Sequence, residues 1–158
     1  MPIAIRYRFS QDFDVSAEDA FLWCTDFTPK DHLLGGNSTA QRQITHLTDS
    51  TLILKDTFYN GNETIEKEKL VQLYPDRFTW VSTHLSGPNK YSQFLYEIFA
   101  KTPTSSRLRF TALHVELEKE EMTKVQSLAF SDKLCNEDSA MWRLFAQAMH
   151  RDFKPSRV

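Results

Sequence analysis

Glycine is scarce in this chain: only Gly35, Gly36, Gly61 and Gly87 occur in 158 residues. No GxxxxGK or GxGxxG run can be built from them, so cradling of a nucleotide's phosphates by a Gly-rich loop is excluded. Cysteine is scarcer still. Cys24 and Cys135 stand far apart without a CxxC spacing, and no apolar leader precedes Arg6 and Arg8. The pair therefore reads as two reduced thiols in an intracellular, cytoplasmic protein rather than as a disulfide scaffold. Cys24 falls beside Trp23 on an amphipathic stretch and reads as a buried, inert thiol. His32, His46, His84, His114 and His150 form no H-x-H, HExxH or Cys-His grouping, so no metal motif and no cofactor is implied. No uncharged apolar run approaches the roughly 20 residues that span a bilayer. At a net charge of −2 neither sign dominates, and no bulk attraction to nucleic acid or an anionic membrane follows.

Aromatic residues, by contrast, are plentiful: they make up 13% of the chain, with 12 Phe among them, which suits a bulky core or an aromatic-lined cavity. A chain of this length is most simply one domain, able to bury about 70% of its unfolded surface. Its centre is a string of runs rich in Val, Ile, Thr, Tyr, Phe and Trp at 52–59, 63–74, 77–85, 91–100 and 106–116, with a sixth at 39–47. The breaks are Thr48-Asp49-Ser50, Asn60-Gly61-Asn62, Pro75-Asp76, Ser86-Gly87-Pro88-Asn89 and Thr102-Pro103-Thr104-Ser105. Gly supplies positive φ, Asn tolerates it, and Pro presets φ while withholding a donor. Connections this short cannot cross over a sheet, so the six runs predict an antiparallel meander.

Ahead of the meander, Ile3, Ile5, Tyr7, Phe9 and Phe13 alternate with polar residues, which predicts a first strand. Ser16 is an N-cap for a helix over 17–27, and Thr28-Pro29 starts a second short helix that Gly35-Gly36 ends. After Glu116 the period lengthens. Met122, Val125, Leu128, Met141, Trp142, Phe145, Met149 and Phe153 fit a helix over 119–153, whose charged start at 116–124 reads as a solvated face. Unbroken, that helix would be about 50 Å long against about 33 Å for a ten-residue strand, which predicts a break or bend at 131–138. Asn136, Asp138 and Ser139 offer the caps there, and His150, Arg151 and Lys154 suit the negative end of the macrodipole.

The stretch Phe13-Asp14-Val15-Ser16-Ala17-Glu18-Asp19-Ala20-Phe21, the turn Pro75-Asp76-Arg77-Phe78-Thr79-Trp80 and the run Thr104-Ser105-Ser106-Arg107-Leu108-Arg109-Phe110 resemble the SRPBCC superfamily. This is the START, pollen-allergen and polyketide-cyclase group, and the resemblance covers essentially the whole chain. It implies an α+β helix-grip fold: a seven-stranded curved antiparallel sheet, its first strand paired with its last, wrapped around a long C-terminal helix. Two short helices separate strands one and two, and a hydrophobic cavity lies between sheet and helix. The chain departs from the plant allergens at Thr48-Asp49-Ser50, where they carry a Gly-rich loop. Allergen-type ligands are therefore not implied.

Alternation assigns the inner face. In 106–116, Arg107 and Arg109 should face out and Leu108, Phe110, Ala112 and His114 in. Placing Glu97 opposite the arginines turns Phe94, Tyr96 and Ile98 inward. In 77–85 the inner set is Phe78, Trp80, Ser82 and His84. This register puts Ser82, Ser92 and His114 at one level, with His84 a step away. The expected ligand-binding set is Trp80, Ser82, His84, Phe94, Tyr96, Ile98, Phe110, Ala112, His114, Trp142, Phe145 and Met149. The ligand is a small hydrophobic molecule, such as a lipid, isoprenoid or polyketide, with the polar members anchoring its one polar group. The same residues also read as ordinary core, satisfied by one another or by water. No catalytic set is assigned. A cyclase, aromatase or dehydratase would use His114 or His84 as base and Tyr96 or Ser82 to polarise a carbonyl. A third reading is a chaperone-regulating or other protein-interaction module, with Leu95 and Phe99 forming an outer patch that would equally serve a homodimer.

Overall fold

Seven strands make one antiparallel sheet in the order β1-β7-β6-β5-β4-β3-β2. The computed structural model describes residues 3–28 and 40–154. The strands are β1 Ile3–Phe13, β2 Gln41–Thr48, β3 Thr51–Asn60, β4 Glu63–Tyr74, β5 Thr79–His84, β6 Gln93–Thr102 and β7 Ser105–Glu116. Helix α1 is Ala17–Cys24 and helix α2 is Lys124–Asp152. Strands β2 to β7 are the expected meander, and β1 pairs with β7 from Ile3↔Glu116 to Phe13↔Ser106. The second short helix expected before β2 lies outside the described residues.

Local chemistry explains most boundaries. The Ser16 hydroxyl accepts from the Asp19 amide at 3.2 Å and starts α1. That helix stops at Cys24, short of 27: Thr25 is its C-cap, with its hydroxyl donating to the Phe21 carbonyl at 2.7 Å, and Phe27 takes a left-handed φ of 51°. The hairpin between β3 and β4 turns on Gly61 at φ +63°, which an L side chain rarely adopts. β5 begins at Thr79 because Pro75–Arg77 form a 3-10 turn and Phe78 takes a left-handed φ of 47°.

The expected break at 131–138 is absent: α2 runs 29 residues without interruption. Residues 117–123 do not join it, since Thr123 caps its start by exchanging hydrogen bonds with Gln126. The charged run Glu118–Glu121 is thus a connection and not a helix start. Shortened this way, α2 spans about 44 Å and matches the 11- and 12-residue strands. It lies along β1: Ser131 and Cys135 donate to the carbonyls of Arg6 and Arg8, and the His150 ring accepts from the Asp14 amide at 2.9 Å. The exposed edge of β1 is thereby covered.

The inner face follows the expected register. Trp80 pairs with Tyr96, Tyr96 with Phe110, and Ile98 with Leu108; all are buried except Tyr96, which is half-buried. Outside, Glu97 faces Arg109 in a two-pronged ion pair at 3.2 and 3.3 Å. The outer patch is weaker than expected, because the Arg109 guanidinium lies 4.8 Å above the Phe99 ring and Leu95 is half-buried. Two buried clusters result. One gathers Phe13, Phe21, Leu54, Val71, Trp80, Leu108, Trp142 and Met149; the other gathers Ile5, Tyr7, Phe94, Phe110 and Ala112.

Candidate functional site

A cavity of about 930 Å³ touches both clusters. All seven strands and α2 contribute to its wall, through Tyr7, Arg42, Asp56, Lys69, Trp80, Tyr96, Phe110 and Trp142 in that order. A flat sheet could not reach one hollow from every strand, so the sheet curls around α2. Its wall also reaches exposed Tyr59 and Ile65 at the β3–β4 hairpin and exposed Met141 on α2.

Alternation on β5, β6 and β7 builds the aromatic wall. Tyr96 is its hub, stacked on Trp80 at 4.6 Å and lying 5.2 Å from Phe110 and 5.9 Å from Trp142. Trp142 meets Phe145 edge-on at 5.2 Å. Burial, and then the Asp138 carboxylate, hold the Tyr96 phenol far above its ordinary pKa, so it stays a neutral hydroxyl.

Nine of the twelve residues expected at the site line this cavity: Trp80, Ser82, His84, Phe94, Tyr96, Phe110, His114, Trp142 and Phe145. Ile98, Ala112 and Met149 do not. They are buried in the packed clusters, on the face that alternation and helical period assign, with neighbouring side chains between them and the hollow. The expected level of Ser82, Ser92 and His114 is also shifted. Thr83 pairs with Gln93 and Gln93 with Leu113, so His84, Ser92 and His114 share a level. Ser82 lies instead with Phe94 and Ala112. Ser92 is structural: its buried hydroxyl bonds both the amide and the carbonyl of Val115.

His114 is the most unusual polar group. It is 6% exposed, its Nε2 lies 2.8 Å from Glu116 Oε1, and its Nδ1 is buried without a hydrogen-bond partner among the described residues. A buried imidazole nitrogen left in that state is costly unless something else meets it. The His84 pKa is lowered to about 4, by burial first and then by Lys69, against the opposing hydrogen bond that the ring donates to Asn89. At neutral pH it is an uncharged ring lying 4.9 Å from Phe94.

Three features were missed by the sequence reading. Tyr7 donates to Asp138 at 2.5 Å across the cavity wall, joining β1 to α2. Burial raises the Asp138 carboxyl above the usual carboxylate range, although the Tyr7 hydroxyl and His114 pull it down. Burial and Asp138 together push the Tyr7 phenol well up. Arg42 grips Asp56 through two bonds of 2.6 and 2.9 Å, both side chains almost fully buried. Lys67 and Lys69 line the cavity from β4. The signal was available in the alternation of β3 and β4, where Leu52, Leu54, Asp56, Phe58 and Val71, Lys69, Lys67 fall on the inner face.

No protein-family model matches the sequence, and no curated protein is significantly similar to it. Solved structures are similar over nearly the whole chain. The Zhui aromatase/cyclase from Streptomyces sp. R1128 superposes with a TM-score of 0.76 at 9% identity, covering 98% of each chain. Norcoclaurine synthase from Thalictrum flavum, in complex with dopamine and hydroxybenzaldehyde, gives 0.67 at 13% identity over 98% of this chain and 91% of its own. Ara h 8.0201 gives 0.63 at 9% identity over 93% and 98%. The chain therefore has the helix-grip fold of the superfamily its sequence resembles. Among the described residues no helix is long and apolar enough to cross a membrane, and no cluster of metal-ligating side chains occurs.

Proposed function

We propose that the protein binds a small, largely apolar molecule, of lipid, isoprenoid or polyketide type, in the hollow between sheet and α2, inside the cell. The observation that carries this reading is the cavity itself. At about 930 Å³ it lies within the range of small-molecule sites, and aromatic rings from β1, β5, β6, β7 and α2 make up much of its wall. The buried Nδ1 of His114 supplies a point at which a ligand hydroxyl or bound water would complete the hydrogen bonding. Norcoclaurine synthase, of the same fold, holds dopamine and hydroxybenzaldehyde in its solved complex, which is in keeping with a guest of that size. Native mass spectrometry of protein taken from its own host is the test. An apolar small molecule should travel with the folded chain, and a chain that stays empty and refuses apolar probes would refute the reading.

The His114–Glu116 pair favours a second reading, an acid–base enzyme of cyclase or dehydratase type. A carboxylate holding Nε2 leaves Nδ1 to take a proton from the bound molecule, which is the arrangement a general base requires. Once a ligand is identified, Glu116→Gln and His114→Ala should each bind it and fail to convert it. Unchanged turnover in His114→Ala would leave simple binding as the function.

A further inference from the structure

The charge on the inner face of β4 narrows the ligand class. Along this strand the inward positions run from Val71, buried at 1%, through half-buried Lys69 to exposed Lys67 and Ile65, from the depth of the cavity to its rim. Outward positions Glu66 and Glu68 hold carboxylates. A strand covering an apolar hollow would ordinarily turn its charges the other way. The lysine stems can lie on apolar wall while their ammonium groups stay polar, and the Lys67 ammonium is 5.6 Å from the Phe58 ring centre. On β2, β3 and β4 the lining charges are Arg42, Lys67 and Lys69 against the single carboxylate Asp56, both of whose oxygens accept from Arg42. The lining carboxylates Glu137 and Asp138 belong to α2, and Asp138 receives the Tyr7 hydroxyl. The cavity is thus polarised, with cations on the β4 wall and carboxylates on the helix. The lysine field reaches inward, since Lys69, paired in register with His84, and Lys67 both oppose protonation of that ring.

We infer that Lys67 and Lys69 recognise an oxyanion, a carboxylate, sulfonate or phosphate, carried by a ligand whose flat apolar body lies against Trp80, Tyr96 and Phe110. The inference rests on the ligand-binding reading above, and one pair of probes separates the two. 1-Anilinonaphthalene-8-sulfonate and N-phenyl-1-naphthylamine share a ring skeleton and differ by the sulfonate, and both report binding by fluorescence. Lys67→Gln and Lys69→Met should weaken the sulfonate by about tenfold and leave the neutral amine within about twofold. Lys101→Gln, an exposed lysine beside Asp12, should change neither. In the unaltered protein, raising salt from 0.05 to 0.5 M should weaken the sulfonate alone. Should Lys69→Met fail to fold, Lys67→Gln and the salt series decide. Equal losses for both probes, with no salt effect, would overturn the oxyanion assignment and keep the hollow. Failure of both probes to bind the unaltered protein would overturn the ligand-binding reading, and this assignment with it.

Discussion

His84 is a buried ring set among like charges. Lys69 opposes it in register, Lys67 and His114 add their fields, and only Asn89 favours its cation. Its pKa of about 4 lies below the ordinary 6.5, so the unfolded chain takes up a proton that the folded protein refuses. Stability that His84 allows at neutral pH is therefore lost as pH falls from about 6.5 toward 4. Between pH 7.5 and 5 this amounts to about 2 kcal/mol. Asp138 acts in the opposite sense, since its raised pKa favours the folded state as pH falls. Urea unfolding at the two pH values should show the loss, and His84→Phe, a ring beside Phe94, should remove most of it. At this scale the sequence was legible wherever alternation continued without a gap. The pairing of Glu97 with Arg109 selected the correct inner face on β6 and β7. It failed by one pair at Ser82 and His84, because residues 85–92 join β5 to β6 and turn chemistry does not set the offset across so long a connection.

The helix α2 teaches the same lesson for an element. Its apolar period was readable, and its limits were not. Asn136, Asp138 and Ser139 carry cap-forming side chains, yet Asp138 turns inward to the Tyr7 hydroxyl, so a residue that locally suggests an end is held mid-helix by a tertiary partner. The true start is at Thr123, whose hydroxyl accepts from the Gln126 amide at 3.2 Å while the Gln126 side chain accepts from the Thr123 amide at 3.0 Å. That reciprocal pair satisfies two donors that would otherwise be orphaned. Thr123→Ala should cost about 1 kcal/mol in chemical denaturation, and Thr123→Ser should recover most of it. A change as large in Asn136→Ala would mean that a helix end exists near 136 in solution.

For the whole molecule, the question is whether the space between sheet and α2 is hollow in solution. Ser82 and Ala112 pose it cleanly. They share one level of the sheet, flanking Phe94 on β5 and β7, and both are buried. Ser82 borders the cavity, whereas Ala112 is packed among Ile5, Tyr7, Phe94 and Phe110. The same added ring therefore meets open space at one position and close-packed side chains at the other. Ser82→Phe should leave the melting temperature nearly unchanged and abolish binding of N-phenyl-1-naphthylamine, since the ring occupies the guest's volume. Ala112→Phe should cost about 1–3 kcal/mol or more through overpacking. In the unaltered protein a ligand at a hundred times its Kd adds about 2.7 kcal/mol, or roughly 5–10 °C in a chain of this size, and Ser82→Phe should lose that shift. Equal destabilisation by the two substitutions would mean that the walls close on each other and that no guest is held between them.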